Sequence, residues 1–340
     1  MLRAAPPLVL AGVTDAALRA APGLSARAVD RLGGLLGRLG PRCPVIARQV
    51  AENMRRLGVY SAEAHRQYFA ELGGHFAGAL HALRCAGRAD AAGMAAELAE
   101  VAAERIELDE SVERLRCAVR PERGAILMGP HVANYLLNLA RLNQVVPLTI
   151  YLRHSKDVRR RAAKARWYQA TGVGWISEPA EAGGSLGRLG RMAAALRAGR
   201  TLFITPDLPQ KQTQGAAVRF FDREIRLPEG PALLALRTGA PLFLLTARPN
   251  GSRQRLVVQG PYAAGQAPHS RAARRAAVVQ RMQWFADGFQ QFLREQAALW
   301  YLWGDKRWTQ LLHDDPRFGR RLAASTDVQD PHVADVVGAT

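Results

Sequence analysis

One histidine stands where a proton-transfer group is useful. In Gly124-Ala-Ile-Leu-Met-Gly-Pro-His131-Val-Ala-Asn134-Tyr135-Leu136, a four-residue apolar run ends at Gly129-Pro130. It is too short for a helix and reads as a buried strand followed by a turn. Beyond it, Tyr135, Leu136, Leu139 and Leu142 fall at helical spacing, so a helix starts just past the turn. His131 therefore sits at the carboxyl end of a strand and the amino end of a helix, where open α/β folds gather ligands and catalytic groups. An imidazole that titrates near neutrality is a general base in such a place. The plainer reading, a histidine filling a turn, stands beside it.

The elements that must position this residue follow from periodicity. Residues 12–118 read as helical throughout, with apolar positions at threes and fours at 30–39, 45–57, 62–86 and 90–103. His65, His75 and His81 fall there and read as surface or packing histidines, since the last two do not align on one helical face. After the His131 helix, residues 145–152 form a β-branched strand, 157–170 a strongly basic helix, and 173–176 a short strand. A helix at 185–198 precedes a strand from Thr201 toward Asp207. Gly230-Pro231 opens a further helix ended by Gly239. Strands at 241–246 and 256–259 and a long helix at 270–296 follow. This alternation predicts an α/β fold: a mainly parallel sheet flanked by helices on both faces, with an N-terminal helical region.

Composition narrows the function. The chain has 340 residues, 48% of them hydrophobic, which is ample for a sizeable core. A net charge of +18, nearly all of it arginine, predicts a surface that attracts anions: lipid headgroups, an acidic carrier protein or nucleic acid. Nucleic acid ranks last, because no binding motif accompanies the charge. Cys43, Cys85 and Cys117 are too far apart for a metal or disulfide framework, and no metal site is expected. No apolar run reaches membrane-spanning length. The start of the chain reads as a membrane-surface amphipathic helix, which predicts a cytoplasmic protein peripheral on the inner face of the cytoplasmic membrane.

Three stretches carry a family resemblance. Met128-Gly-Pro-His131-Val-Ala-Asn134-Tyr135-Leu136 resembles Ser-Gly-His-x-Gly-Asn-Trp-Glu, the signature of the lipid A late acyltransferases, a branch of the lysophospholipid acyltransferase superfamily. Val218-Arg-Phe220-Phe221-Asp-Arg, followed by Gly230-Pro-Ala-Leu-Leu-Ala and Thr238-Gly-Ala-Pro, resembles that family's Val-Pro-Phe-Phe-Gly-Arg block and the helix after it. Trp300-Tyr-Leu-Trp-Gly-Asp-Lys-Arg-Trp308 resembles its closing tryptophan motif. The likeness spans roughly residues 40–310. It implies a helical region at 1–118, an acyltransferase-like α/β domain at 119–312 and a polar, partly disordered tail at 313–340.

The resemblance also implies the chemistry. An acyl group passes from a carrier thioester, acyl carrier protein or coenzyme A, to a hydroxyl or amine acceptor on a lipid or specialised metabolite. His131 is the general base, the thioester is a co-substrate, and no cofactor is bound. The family's carboxylate, five residues after the histidine, is here Leu136. Asp207, in a Pro-Asp segment that the family also carries, is the leading substitute; Asn134 and Asp157 are the others. Asn134, Tyr135, Arg166, Arg219, Phe220, Phe221 and Gly230 are the expected substrate-binding residues, with Phe220 or Phe221 in or near the wall of an apolar channel. The competing reading is a catalytically inactive relative that binds lipid or acyl carrier protein.

Overall fold

The computed structural model describes residues 20–86, 90–152, 158–177, 184–262 and 269–322. Helices α1 (Ala26–Leu39), α2 (Pro44–Arg56), α3 (Ala62–Cys85) and α4 (Ala91–Arg105) come first, then strand β1 (Ile106–Leu108) and α5 (Val112–Ala118). The central part runs β2 (Ala125–Met128), α6 (Tyr135–Asn143), β3 (Leu148–Leu152), α7 (Val158–Ala170), β4 (Gly174–Ser177), α8 (Gly184–Arg197) and β5 (Thr201–Ile204). It continues through β6 (Ala216–Phe220), β7 (Arg223–Leu227), α9 (Gly230–Thr238), β8 (Leu242–Asn250) and β9 (Arg253–Tyr262). The long α10 (Arg271–Gln296), α11 (Lys306–Leu312) and β10 (Gly319–Arg321) close it.

Seven strands form one sheet in the order β1-β9-β8-β2-β5-β3-β4, in which β8–β9 is the antiparallel pair and the other neighbours are parallel. β2 lies near the middle with all four residues buried, as a strand covered on both faces requires. The mainly parallel sheet with its helices and N-terminal helical region is the predicted architecture. A smaller antiparallel sheet, β10-β7-β6, stands apart from it.

Two expected boundaries shift. Residues 12–118 are not helical throughout: Ile106–Leu108 pairs with β9, so the main sheet takes its edge strand from the N-terminal region. Three residues are too few to show a period of two. The expected tail from 313 contributes β10, which pairs with β7 through Gly319–Ile225, Arg320–Glu224 and Arg321–Arg223. Residues 1–19 and 323–340, on which other expectations fell, lie outside the described residues.

The helix α1 is turned in an unusual way. Val29, Gly33 and Gly37 face inward, while Leu32, Leu35, Leu36 and Leu39 are between 40% and 51% exposed. The inward glycines let α1 and α3 meet backbone to backbone: a Cβ on Gly33 would lie 2.7 Å from the Gly73 carbonyl oxygen, and one on Gly73 would lie 2.3 Å from the Gly33 oxygen. Val45 and Ile46, at the start of α2, extend the exposed apolar face.

Candidate active site

The site grows from one fact of register. β2 and β5 are parallel neighbours, with Met128 opposite Ile204. Past those partners the two strands leave the sheet in the same way, through Gly129-Pro130-His131 and Thr205-Pro206-Asp207. Each proline fixes its φ and withholds a donor, which ends the ladder. The Gly129 N–H still donates to Ile204 O at 3.1 Å, holding the two exits together. Equal offsets from paired residues therefore bring His131 and Asp207 side by side.

Their contact is direct. The His131 ring Nδ1 lies 2.6 Å from Asp207 Oδ1, and the His131 backbone N–H donates to Oδ2 at 2.8 Å. The Trp300 indole N–H donates to the same Oδ2 at 2.9 Å, and the Trp308 indole N–H donates to the Asp207 carbonyl oxygen at 2.9 Å. The Asp207 side chain is fully buried, and that of His131 keeps 19% exposure. A buried carboxylate needs such donors, and here they fix its position. In the tautomer with the proton on Nδ1, that N–H donates to the carboxylate and Nε2 is left free to accept. The Thr205 hydroxyl is 3.4 Å from that nitrogen.

Aromatic rings enclose the imidazole. Tyr135 lies nearly parallel to it at a centroid distance of 6.1 Å, and Tyr301 meets it edge-on at 5.5 Å. The Tyr135 hydroxyl is bonded to that of Tyr168, and burial pushes the Tyr135 phenol well above its ordinary range and that of Tyr168 up to about 12. Both remain neutral. The closing segment is stitched onto the His131 loop: the Ala133 N–H donates to Leu299 O at 2.7 Å and the Tyr301 N–H to His131 O at 3.2 Å.

The other expected residues divide. Asn134 does not orient the ring. It adopts a left-handed conformation at the start of α6, and its amide donates to Gln254 Oε1 at 3.2 Å. Gln254 donates in turn to Asn138, which donates to Ala133 O at 2.9 Å, so this buried chain braces the loop from below. Leu136, in the place of the family's glutamate, is buried in the core. Asp157 lies outside the described residues.

Phe220 is fully buried, stacked 5.1 Å from Phe289 and 5.5 Å from Trp308. It backs the tryptophan that holds Asp207 and has no recorded ring contact with His131. Phe221, with φ of 54°, turns the β6–β7 hairpin, and Arg294 stands 5.2 Å over its ring. Arg219 and Arg166 are exposed, and Gly230 opens α9 with free space where a side chain would stand.

Sequence reading missed Trp300, Trp308, Thr205 and Tyr301 as parts of the site, although the tryptophan motif was in view. It also took His75 for packing. That ring stacks on Tyr301 at 4.2 Å and 23°. Burial, and after it the charge of nearby His131, brings its pKa down to about 4. A repeated x-Pro-His and x-Pro-Asp at the ends of two predicted strands was the signal available for the dyad.

No helix among the described residues is long and apolar enough to cross a membrane. Comparison with protein families matches the chain to the bacterial lipid A biosynthesis acyltransferases over residues 28–310. No curated protein sequence matches the chain.

Proposed function

The chain belongs to the bacterial lipid A biosynthesis acyltransferase family, and from that premise we propose that it transfers an acyl group from a thioester to an acceptor hydroxyl or amine, with His131 as general base. The observation that carries the reading is the 2.6 Å bond between His131 Nδ1 and Asp207. Asp207 supplies from the end of β5 what the signature position Leu136 lacks. It fixes the tautomer that frees Nε2 and stabilises the imidazolium that forms.

The reaction runs in two steps. The acceptor oxygen or nitrogen forms a bond to the thioester carbonyl carbon while its proton passes to His131 Nε2 and the carbonyl electron pair moves onto oxygen. The intermediate then collapses, the carbon–sulfur bond breaks, and the leaving thiolate takes the proton from Nε2. The donor carries its acyl chain on a phosphopantetheine thiol, of acyl carrier protein or coenzyme A. The test is a panel of acyl-pantetheine, acyl-coenzyme A and acyl-carrier-protein donors against lysophospholipids, lipid A precursors and small amines, read by mass spectrometry. Transfer that vanishes in His131→Ala supports the reading, whereas transfer unchanged in that variant refutes it. Failure of every donor with the wild type favours the non-catalytic reading, which rests on Leu136.

The acceptor class is a lipid presented at an anionic membrane surface. The outward leucines of α1, with Val45 and Ile46, form an apolar face bordered by the exposed Arg27, Arg31, Arg38, Arg42 and Arg48. Asp30, the acidic residue of that stretch, pairs with Arg105 and His81. Apolar side chains ringed by arginine suit headgroup-level insertion into an anionic bilayer. Co-sedimentation with phosphatidylglycerol vesicles and not with phosphatidylcholine vesicles is the expected result. Equal binding to both, or to neither, would remove the membrane assignment.

A further inference from the structure

The base has a neighbour that the reaction above does not use. His75 lies on α3, and its ring stacks on the face of Tyr301, whose edge meets His131. The Tyr301 backbone N–H is bonded to the His131 carbonyl, so Tyr301 is fixed to the catalytic loop and His75 is fixed to Tyr301. His75 has no hydrogen-bond partner among the described residues, and of its two ring nitrogens Nδ1 is the one shut off from solvent. Nε2 is therefore the ring nitrogen left open, on a ring held near His131 through Tyr301.

The protonation pattern follows from that placement. A buried nitrogen without an acceptor is better left as a lone pair than as an orphaned N–H, so the proton of the neutral ring sits on Nε2. Burial, and then the nearby charge on His131, keeps the ring neutral down to about pH 4. The fold thus spends an unpaired polar group beside the base, where native interiors normally pair such groups. An unpaired donor beside a reaction site has a use: the acyl carbonyl oxygen gains charge in the first step and needs a donor that is already in place.

We infer that His75 is a second catalytic residue, whose Nε2–H donates a hydrogen bond to the thioester carbonyl oxygen while His131 Nε2 takes the acceptor's proton. The inference rests on the acyl-transfer reading of the site. No proton leaves His75. Its bond to the oxygen tightens as the carbonyl electron pair moves onto that atom and relaxes when the carbon–sulfur bond breaks. A neutral ring does this better than an imidazolium, whose charge would oppose the charge forming on His131. The two histidines then divide the chemistry: one takes a proton, the other holds an oxyanion.

The test uses the full-length protein with dodecanoyl-pantetheine as donor and water as the fallback acceptor, with thiol release followed spectroscopically. His75→Phe keeps an aromatic ring against Tyr301 and removes the donor. Loss of one oxyanion donor typically costs about 10²–10³ in kcat, and KM should hold because the bond strengthens only in the transition state. His75→Gln, which retains an N–H, should recover part of the loss. Thermal midpoints of both variants within a few degrees of the wild type exclude a folding defect. Wild-type kcat in a folded His75→Phe, with activity still abolished in His131→Ala, overturns the role of His75 and leaves the acyl-transfer reading intact. Equal loss in His75→Phe and His75→Gln would assign the effect to packing and also overturn it. Thiol release absent from the wild type overturns both.

Discussion

The strand ends that carry His131 and the outer face of α1 are opposite solutions to the same problem of burial. Around His131 the structure hides charge and satisfies it: both Asp207 oxygens and its carbonyl are bonded, and the supporting tryptophans are fully buried. On α1 the structure exposes leucine and hides glycine. Neither arrangement is the cheapest for an isolated soluble chain. A buried carboxylate costs desolvation unless it is paired, and four half-exposed leucines forfeit about 1 kcal/mol each of burial. The first region is complete within the molecule; the second leaves apolar surface uncovered among the described residues.

Breaking the first region should have the larger effect. Asp207→Asn must turn an N–H toward one of three donors, and the relief is to pull the His131 proton onto Nε2, where the lone pair is needed. Such a tautomer switch costs up to about 10⁴ in kcat, measurable as thiol release at fixed donor concentration, with vesicle binding unchanged. Loss below tenfold would mean that the ring does not depend on Asp207.

His75, unpaired at Nδ1, gives a smaller, pH-dependent effect. The folded pKa of His75 lies near 4 and its ordinary value near 6.5, so the unfolded chain takes up a proton that the folded chain refuses. Stability is then full above about pH 6.5 and falls as pH drops toward 4, by on the order of 3 kcal/mol. Denaturant midpoints of wild type and His75→Phe, close at neutral pH, should separate as pH falls across that window, with wild type losing more; parallel curves would contradict it.

Changing the second region should leave chemistry alone. Leu35→Glu with Leu36→Glu should weaken binding to phosphatidylglycerol vesicles by roughly ten- to a hundredfold, from lost apolar insertion and added like charge. Thiol release from a soluble donor should stay at the wild-type rate. If both fell together, the two regions would not be separable.

The smallest change expected comes from restoring the family signature. Leu136→Glu should alter kcat by no more than a few-fold, because Asp207 already holds Nδ1, and should lower stability as a buried charge. A large gain in turnover would show that the dyad is incomplete.

Much of the first region was legible in the sequence, because strands with short connections leave their ends at computable places. The run Ala125–Met128 was read at its observed bounds, and Asp207 was placed across neighbouring strand ends. What escaped depends on contacts between distant stretches. His75 and Tyr301 share no periodicity or spacing, and their stacking exists only once α3 lies over the closing segment. The hairpin β6–β7 was recognised as a motif but not as a separate sheet, since its pairing with β10 uses residues read as tail. The inward glycines of α1 were hidden by a general rule, that leucines point to the core, which this helix inverts.

The tryptophans that fix Asp207 come late in the chain. A ribosome makes His131 and Asp207 well before it makes Trp300 and Trp308, and the loop of His131 has no partner for the Ala133 N–H until Leu299 follows. During synthesis the pair therefore exists in sequence before it exists in space, and a nascent chain holds both residues without the clasp that aligns them. The segment that carries the two tryptophans works as a latch, so that His131 and Asp207 are aligned only after it has docked.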